Sequence, residues 1–370
     1  MTITFRIPAA SPELVGFSYS PSMEAVLSLH VLVEPKHHPV QHAWVRAMRR
    51  LSPALKREID VFSFAYRSYF PEFFFPSPTG ELLGFEDELR RLRSVDPELV
   101  QLEFAVALGG EALGGGPGRN PAALDEADVR RRLDEQAGAA GDQRLARLLL
   151  DEPASLLERF LKMLEHYWEE AFSHEWQRIE PGLAESVAEA GCQIAEHGLF
   201  TLFRGLWPEV RCAPEAGRVW MERPHDHDVE ITPERRLVLA PSVYVWPHVR
   251  VNCDGPWPLG LVFPASSIVR EARPRIPPAR LTGILRALAD DTRLRTLRLI
   301  AERPRSTQEL APLVGITEAG LSKQLRLLNE AGLVERRREG YYVLYRLVPE
   351  QVAALAPSLE AFLHASHPTD

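Results

Sequence analysis

Ile316-Thr317-Glu318-Ala319-Gly320-Leu321-Ser322-Lys323-Gln324-Leu325-Arg326-Leu327-Leu328 is the stretch of this 370-residue chain whose reading decides the fold. Leu321, Leu325 and Leu328 recur at helical spacing, Thr317 stands where an N-cap belongs, and Gly332 ends the segment. Immediately upstream, Ser306-Thr307-Gln308-Glu309 has the form of a capping box that opens a helix through Leu310 and Leu313, stopped by Gly315. Further back, Asp290-Asp291 offers N-caps for a helix with Leu294, Leu297 and Ile300 facing inward. Leu281, Ile284, Leu285 and Leu288 form one more apolar stripe. Downstream, Leu333 to Arg337 and Tyr341 to Val348 read as strands joined by a turn at Glu339-Gly340. Helices followed in this order by a strand pair predict a winged helix-turn-helix.

With the three leucines buried, the opposite face of that helix carries Glu318, Ala319, Ser322, Lys323 and Arg326. Small residues near its start allow close approach to base edges, and Ser322, Lys323 and Gln324 can hydrogen-bond bases or phosphates. Arg336-Arg337-Arg338 falls on the wing, where cations would meet the phosphate backbone or the minor groove. The residues expected at a duplex are Thr317, Glu318, Ala319, Ser322, Lys323, Gln324, Arg326, Arg336, Arg337, Arg338 and Tyr341.

Three segments, Leu288 to Arg295, Ile316 to Leu325 and Leu328 to Val334, together resemble the arsenical-resistance-regulator (ArsR) type of winged-helix repressor. On the pattern S-x-x-x-[VL]-S-x-H-L-x-x-L the chain supplies Leu321, Ser322, Leu325 and Leu328, with Thr317 for the first serine and Gln324 where the histidine usually stands. The resemblance covers roughly residues 281 to 350. It implies a homodimer on double-stranded operator DNA, with repression relieved when an effector binds. A winged helix that docks protein rather than DNA, or a metal-responsive sensor of the same family, are the alternatives.

The net charge of −8 argues against a nucleic-acid binder only as an average. From Arg270 to Arg346 there are sixteen Lys/Arg against nine Asp/Glu, a local +7, so the remainder carries −15. The stretch Arg270 to Arg280, with three prolines and four arginines, reads as a linker (270–280) between a body at 1–269 and a DNA-binding domain at 281–370.

In the body, Thr2 to Ile7 alternates like a strand, and helical spacing dominates from about 21 to 200. One long helical segment runs from Ala154 to Ile179. Short apolar runs between about 211 and 265 (Arg218–Met221, Leu237–Ala240, His248–Val251, Leu259–Phe263) predict a small antiparallel sheet, to which the N-terminal strand could add. The class is therefore α+β: a mainly helical body with a small sheet, plus the winged helix. Gly109 to Gly118, with six glycines, reads as a connector. Eight aromatics between Phe62 and Phe75 could line an apolar effector pocket or form a core. The segments Tyr69–Phe73 and Tyr167–Arg178 resemble the N-terminal domain of long ArsR-like regulators, a likeness that transfers no functional residues.

No cofactor is expected, and no metal. Cys192, Cys212 and Cys253 form no C-x-x-C, and the ArsR thiolate position, Glu309 to Leu313, lacks cysteine. His364 and His367 match half of a zinc site of related sensors, but Gln351 and Ala353 occupy the other half. His225 and His227 would point the same way on a strand, with His248 and Cys253 later in the same sheet region, although Pro224 favours an exposed turn. No G-x-x-x-x-G-K-[ST], G-x-S-x-G or H-E-x-x-H occurs, so no enzyme is expected. No apolar run reaches the roughly 18 residues of a membrane span, and no signal-peptide core is present; the expected location is the cytoplasm.

Overall fold

The computed structural model describes residues 2–8, 11–67, 69–76, 82–109, 126–135, 142–207, 209–223, 226–253, 257–272, 277–339 and 342–363. They divide into two compact units, Met1–Glu271 and Ala272–Asp370.

The first unit opens with β1 (Thr2–Arg6) and β2 (Val15–Phe17). Its helices are α1 (Pro21–Val33), α2 (His42–Ala47), α3 (Pro53–Val61), α4 (Phe64–Arg67), α5 (Phe85–Leu92), α6 (Pro97–Gly109), α7 (Glu126–Glu135), α8 (Gln143–Asp151), α9 (Pro153–Tyr167), α10 (Ser173–His197) and α11 (Leu199–Leu206). The single helix expected over 154–179 is α9 and α10 joined by a π turn at Trp168–Phe172, which carries it on to His197. Trp168 of that turn stacks on Phe85, ring centroids 4.0 Å apart. The Gly109–Gly118 connector lies, after its first residue, outside the described residues.

Strands β3 (Arg211–Ala213), β4 (Arg218–Glu222), β5 (His227–Glu230), β6 (Leu237–Ser242), β7 (Arg250–Asn252) and β8 (Leu259–Pro264), then α12 (Ser266–Ala272), complete the unit. The expected small antiparallel sheet is instead two four-stranded mixed sheets. One has the order β3-β4-β1-β5, with β1 antiparallel to β4 and parallel to β5. The other has the order β2-β6-β8-β7, with β2, β6 and β8 parallel and only β7 antiparallel.

The physical reason is burial on both faces. Every residue of Leu237–Ser242 and Leu259–Pro264 is buried, the mark of strands covered on two sides, which parallel sheets require. Leu237, Leu239, Leu259 and Leu261 pack toward a core shared with the first sheet, while Val238, Ala240 and Val262 pack toward the helices. Phe75 lies against the Gly260 backbone, where an added Cβ would fall 1.9 Å from its ring. By contrast β1 alternates: Ile3 and Phe5 are buried between more exposed neighbours.

The second unit runs α13 (Pro278–Leu288), α14 (Asp291–Glu302), β9 (Arg305–Ser306), α15 (Thr307–Val314), α16 (Glu318–Glu330), β10 (Val334–Glu339), β11 (Tyr342–Leu347), α17 (Pro349–Ala353) and α18 (Leu355–Leu363). Of the Arg/Pro stretch expected as a linker, residues up to Ala272 belong to α12, and Pro278 starts α13. Proline suits that first helical position because its missing N–H would have no partner there. The wing has a third strand, in the order β10-β11-β9, all antiparallel. Leu281, Ile284, Leu297, Ile300, Leu310, Leu321, Leu325 and Leu328 form its core. Leu294, expected inside, is 50% exposed, and Leu285 and Leu313, read as parts of apolar helical spacing, are 41% and 56% exposed. On α14 the inward line runs instead through Thr296, which is tolerated because its hydroxyl donates to the Thr292 carbonyl oxygen at 2.7 Å.

Candidate nucleic-acid interface

The helix-turn-helix is fixed by its caps. The Ser306 hydroxyl accepts from the Glu309 N–H at 3.3 Å, and the Glu309 carboxylate accepts from the Ser306 N–H at 2.8 Å. That bond, with Arg303 at 3.0 Å, holds the Glu309 carboxyl below its usual range. Gly315 at φ +81° ends α15 in the left-handed region, where a side chain would be strained. Thr317 then starts α16, its hydroxyl accepting from the Gly320 N–H at 3.1 Å. Thr317 is thus engaged as a cap.

Leu321, Leu325 and Leu328 are fully buried, which sets the rotation of α16. Glu318, Ala319, Ser322, Lys323 and Arg326 are exposed on the other side. Ser322 and Lys323 have no hydrogen-bond or ion-pair partner among the described residues, so their donors stand available. Arg326 lies 3.6 Å from Glu330, one turn on. Gln324, also expected at the duplex, already has a partner within the protein. It is half-buried, and its side-chain oxygen accepts from Arg293 Nη1 at 3.0 Å. Arg293 also donates from Nη2 to the Arg286 carbonyl oxygen at 3.0 Å and is held near Asp290, so Gln324 belongs to the bracing between α14 and α16. Arg293 carries no functional mark in the sequence beyond its place after the Asp290 cap.

The three wing arginines are all exposed, but strand alternation divides them. Arg336 and Arg338 share one face with Val334 and stand opposite Tyr345 and Val343 on β11. Neither strand places an acidic residue on that face. Arg337 lies on the other face, between Glu335 and Glu339. Its guanidinium is 3.9 Å from Glu339, while Glu335 accepts from Arg346 at 2.8 Å. Over β10 and β11 formal charge is therefore +2 on the first face, to which β9 adds Arg305, itself paired with Glu302 at 2.8 Å, and zero on the second, where Arg337 and Arg346 offset Glu335 and Glu339. Tyr341 lies outside the described residues.

In the first unit, Phe62, Phe64, Tyr66, Phe73, Phe74 and Phe75 are buried in the helical core and pack on one another and on Phe104 and Phe160. They are core, and Tyr69 and Phe70 sit at its edge. His225, His364 and His367 fall outside the described residues, and His227 begins β5. Among the described residues no group of three or more His, Cys, Asp or Glu could hold a metal ion. None of the described helices is long and apolar enough to cross a membrane.

The second unit is a winged helix-turn-helix of the class used by bacterial regulators: residues 290–336 match the bacterial regulatory protein, arsR family. Residues 1–268 match a family of unknown function, DUF5937, and the chain belongs to that family, with the arsR-type module following its characteristic domain. Among curated proteins it is similar to the HTH-type transcriptional regulator KmtR of Mycobacterium tuberculosis, 39% identical over 84 residues, covering 23% of this chain and 63% of KmtR. It is also similar to NmtR of the same organism, 35% identical over 89 residues, 24% of this chain and 72% of NmtR. The chain thus spans a little under two thirds of KmtR's length. A solved relative is the homodimeric winged helix-turn-helix DNA-binding domain Mb0332 of Mycobacterium bovis, at 30% identity and TM-score 0.21 over 25% of this chain and 87% of that one.

Proposed function

We propose that the protein is a transcriptional regulator that binds operator DNA through α16 and the Arg336/Arg338 face of the wing. In this reading it acts in the cytoplasm as a homodimeric repressor whose N-terminal unit, residues 1–269, receives an effector. The observation that carries the reading is the exposed face of α16: small residues at its start, then Ser322 and Lys323 with donors unengaged by the protein.

Dimerisation is supported by an apolar surface on two helices of the second unit that pack on each other. Leu285 of α13 and Leu359, Phe362 and Leu363 of α18 are 41%, 37%, 56% and 68% exposed. Such a cluster is costly in water and suits a two-fold contact. Regulation, not catalysis, is the role given to both units. A mobility-shift titration of the full chain on its own upstream DNA tests the proposal. Wild type should bind that DNA in preference to a scrambled duplex, and Lys323→Ala should weaken binding at least tenfold. Equal affinity for both duplexes would refute it.

A further inference from the structure

A cleft of about 450 Å³ in the first unit is lined by His30 of α1, His37 and His38 just beyond it, Arg67, His248 just before β7, and Arg250 at the start of β7. Its chemistry is unlike that of the surrounding core. Arg250 is half-buried, and among the described residues no carboxylate or carbonyl partners its guanidinium. The closest feature is the Phe70 ring, whose centroid is 5.9 Å from Cζ. The other arginines here are neutralised: Arg67 lies 2.9 Å from Glu34 and Arg223 lies 3.0 Å from Glu209. Glu222, exposed, also lines the cleft. Among the described residues Arg250 is therefore the lining arginine that no carboxylate pairs, while Glu222 is a lining carboxylate that pairs with none of these arginines.

Beside it is an unanswered acceptor. His38 is only 1% exposed; its Nδ1 donates to the Trp246 carbonyl oxygen at 2.6 Å, and its Nε2 has no partner. His30 is held the same way, Nδ1 donating to the Tyr66 carbonyl oxygen at 2.8 Å. The rings of His30 and His248 lie 5.1 and 6.3 Å from that of His38. Burial, with Arg250 adding its charge, lowers His30 to about 3 and also depresses His38 and His248. Burial favours the neutral form of His38, and with its Nδ1 proton committed to Trp246 that form presents Nε2 as an acceptor. A half-buried cation and a buried acceptor left without partners are both costly, and a ligand that satisfies the two together would be favoured.

We propose that this cleft is the binding site for a small oxyanion that also carries a hydroxyl, of the phosphate monoester or hydroxycarboxylate class. The guanidinium of Arg250 grips the oxyanion as a fork, and the hydroxyl donates to His38 Nε2. A metal ion is the poorer occupant, because the unpaired arginine repels it. The proposal deepens the effector role given above to the N-terminal unit, but binding is read without DNA, so its failure leaves the assignment of α16 untouched.

The test is thermal unfolding of the full chain at constant ionic strength against two pairs of probes: inorganic phosphate with sulfate, and glycolate with acetate. In each pair only the first carries an O–H at neutral pH. Phosphate or glycolate should raise the midpoint saturably, and should bind about tenfold more tightly than its partner, the effect of one hydrogen bond. Which of the two acts distinguishes a phosphate from a carboxylate ligand. Arg250→Met should abolish every shift. It should also raise the ligand-free midpoint, because it removes an uncompensated charge, and this shows that the variant folds. His38→Asn, which can keep the donor toward Trp246, should erase the difference within each pair. No saturable response from phosphate or glycolate, or a response undiminished in Arg250→Met, would overturn the site. So would saturable binding of zinc alone that is lost in His38→Asn.

Discussion

If the acid-free face of the wing meets phosphate, substituting its two arginines should change the salt dependence of binding far more than substituting the third. Each phosphate neutralised contributes about 0.9 to the slope of log affinity against log salt on B-form DNA. Arg336→Ala with Arg338→Ala removes two contacts per chain, so a dimer on a two-fold site loses about 3.6 slope units. Between 50 and 200 mM salt that amounts to roughly a 150-fold smaller loss of affinity than in wild type. Arg337→Ala should leave the slope nearly unchanged, because Glu335 and Glu339 share its face and would oppose any approach to phosphate. All three positions are exposed, so folding should be unaffected, which a thermal melt verifies. Fluorescence anisotropy on labelled upstream DNA at several salt concentrations gives the slopes. Equal slope changes for Arg337→Ala and the double variant would refute the division by strand face.

Other outcomes follow from single residues. Glu24 is fully buried, and burial pushes its pKa up to about 8 despite bonds from Ser242 and the Val243 N–H. A folded-state pKa above the unfolded value means stability present below about pH 4.5 and lost as pH rises through 8. The loss is about 5 kcal/mol at most, and Glu24→Gln should remove that decline in denaturant titrations. Parallel pH profiles for variant and wild type would contradict this. Gln324→Ala strips Arg293 of a partner, so it should lower the unfolding midpoint more than it lowers DNA affinity; Lys323→Ala should do the reverse. Comparison of melts and anisotropy for the two variants separates bracing from contact.

The winged helix was legible because its signals are local. Ser306 with Glu309, Asp290, Thr317 and Gly315 each act within one turn, and all four occupy the caps their sequence positions predict. Leu294 and Leu313 were not legible, since periodicity marks an apolar stripe but not which edge of it faces the core. Strand direction in the first unit was hidden for a related reason. Leu237–Ala240 and Leu259–Phe263 are continuous apolar runs rather than alternating ones, and only burial on both faces, supplied by distant segments, reveals the parallel pairing. In the interface, α16 was readable from three leucines, whereas the engagement of Gln324 depends on Arg293 31 positions away. The cleft at Arg250 left no trace in sequence, because its parts come from α1, the end of α4 and the approach to and start of β7.

On the proposed function, two copies of α16 read DNA in register. Selection from a random duplex library with the full chain tests it most directly. An enriched, two-fold-symmetric motif with half-sites about one helical turn apart is expected, with loss of the enrichment in Lys323→Ala. Recovery of no motif, or of the same motif with the variant, would contradict it.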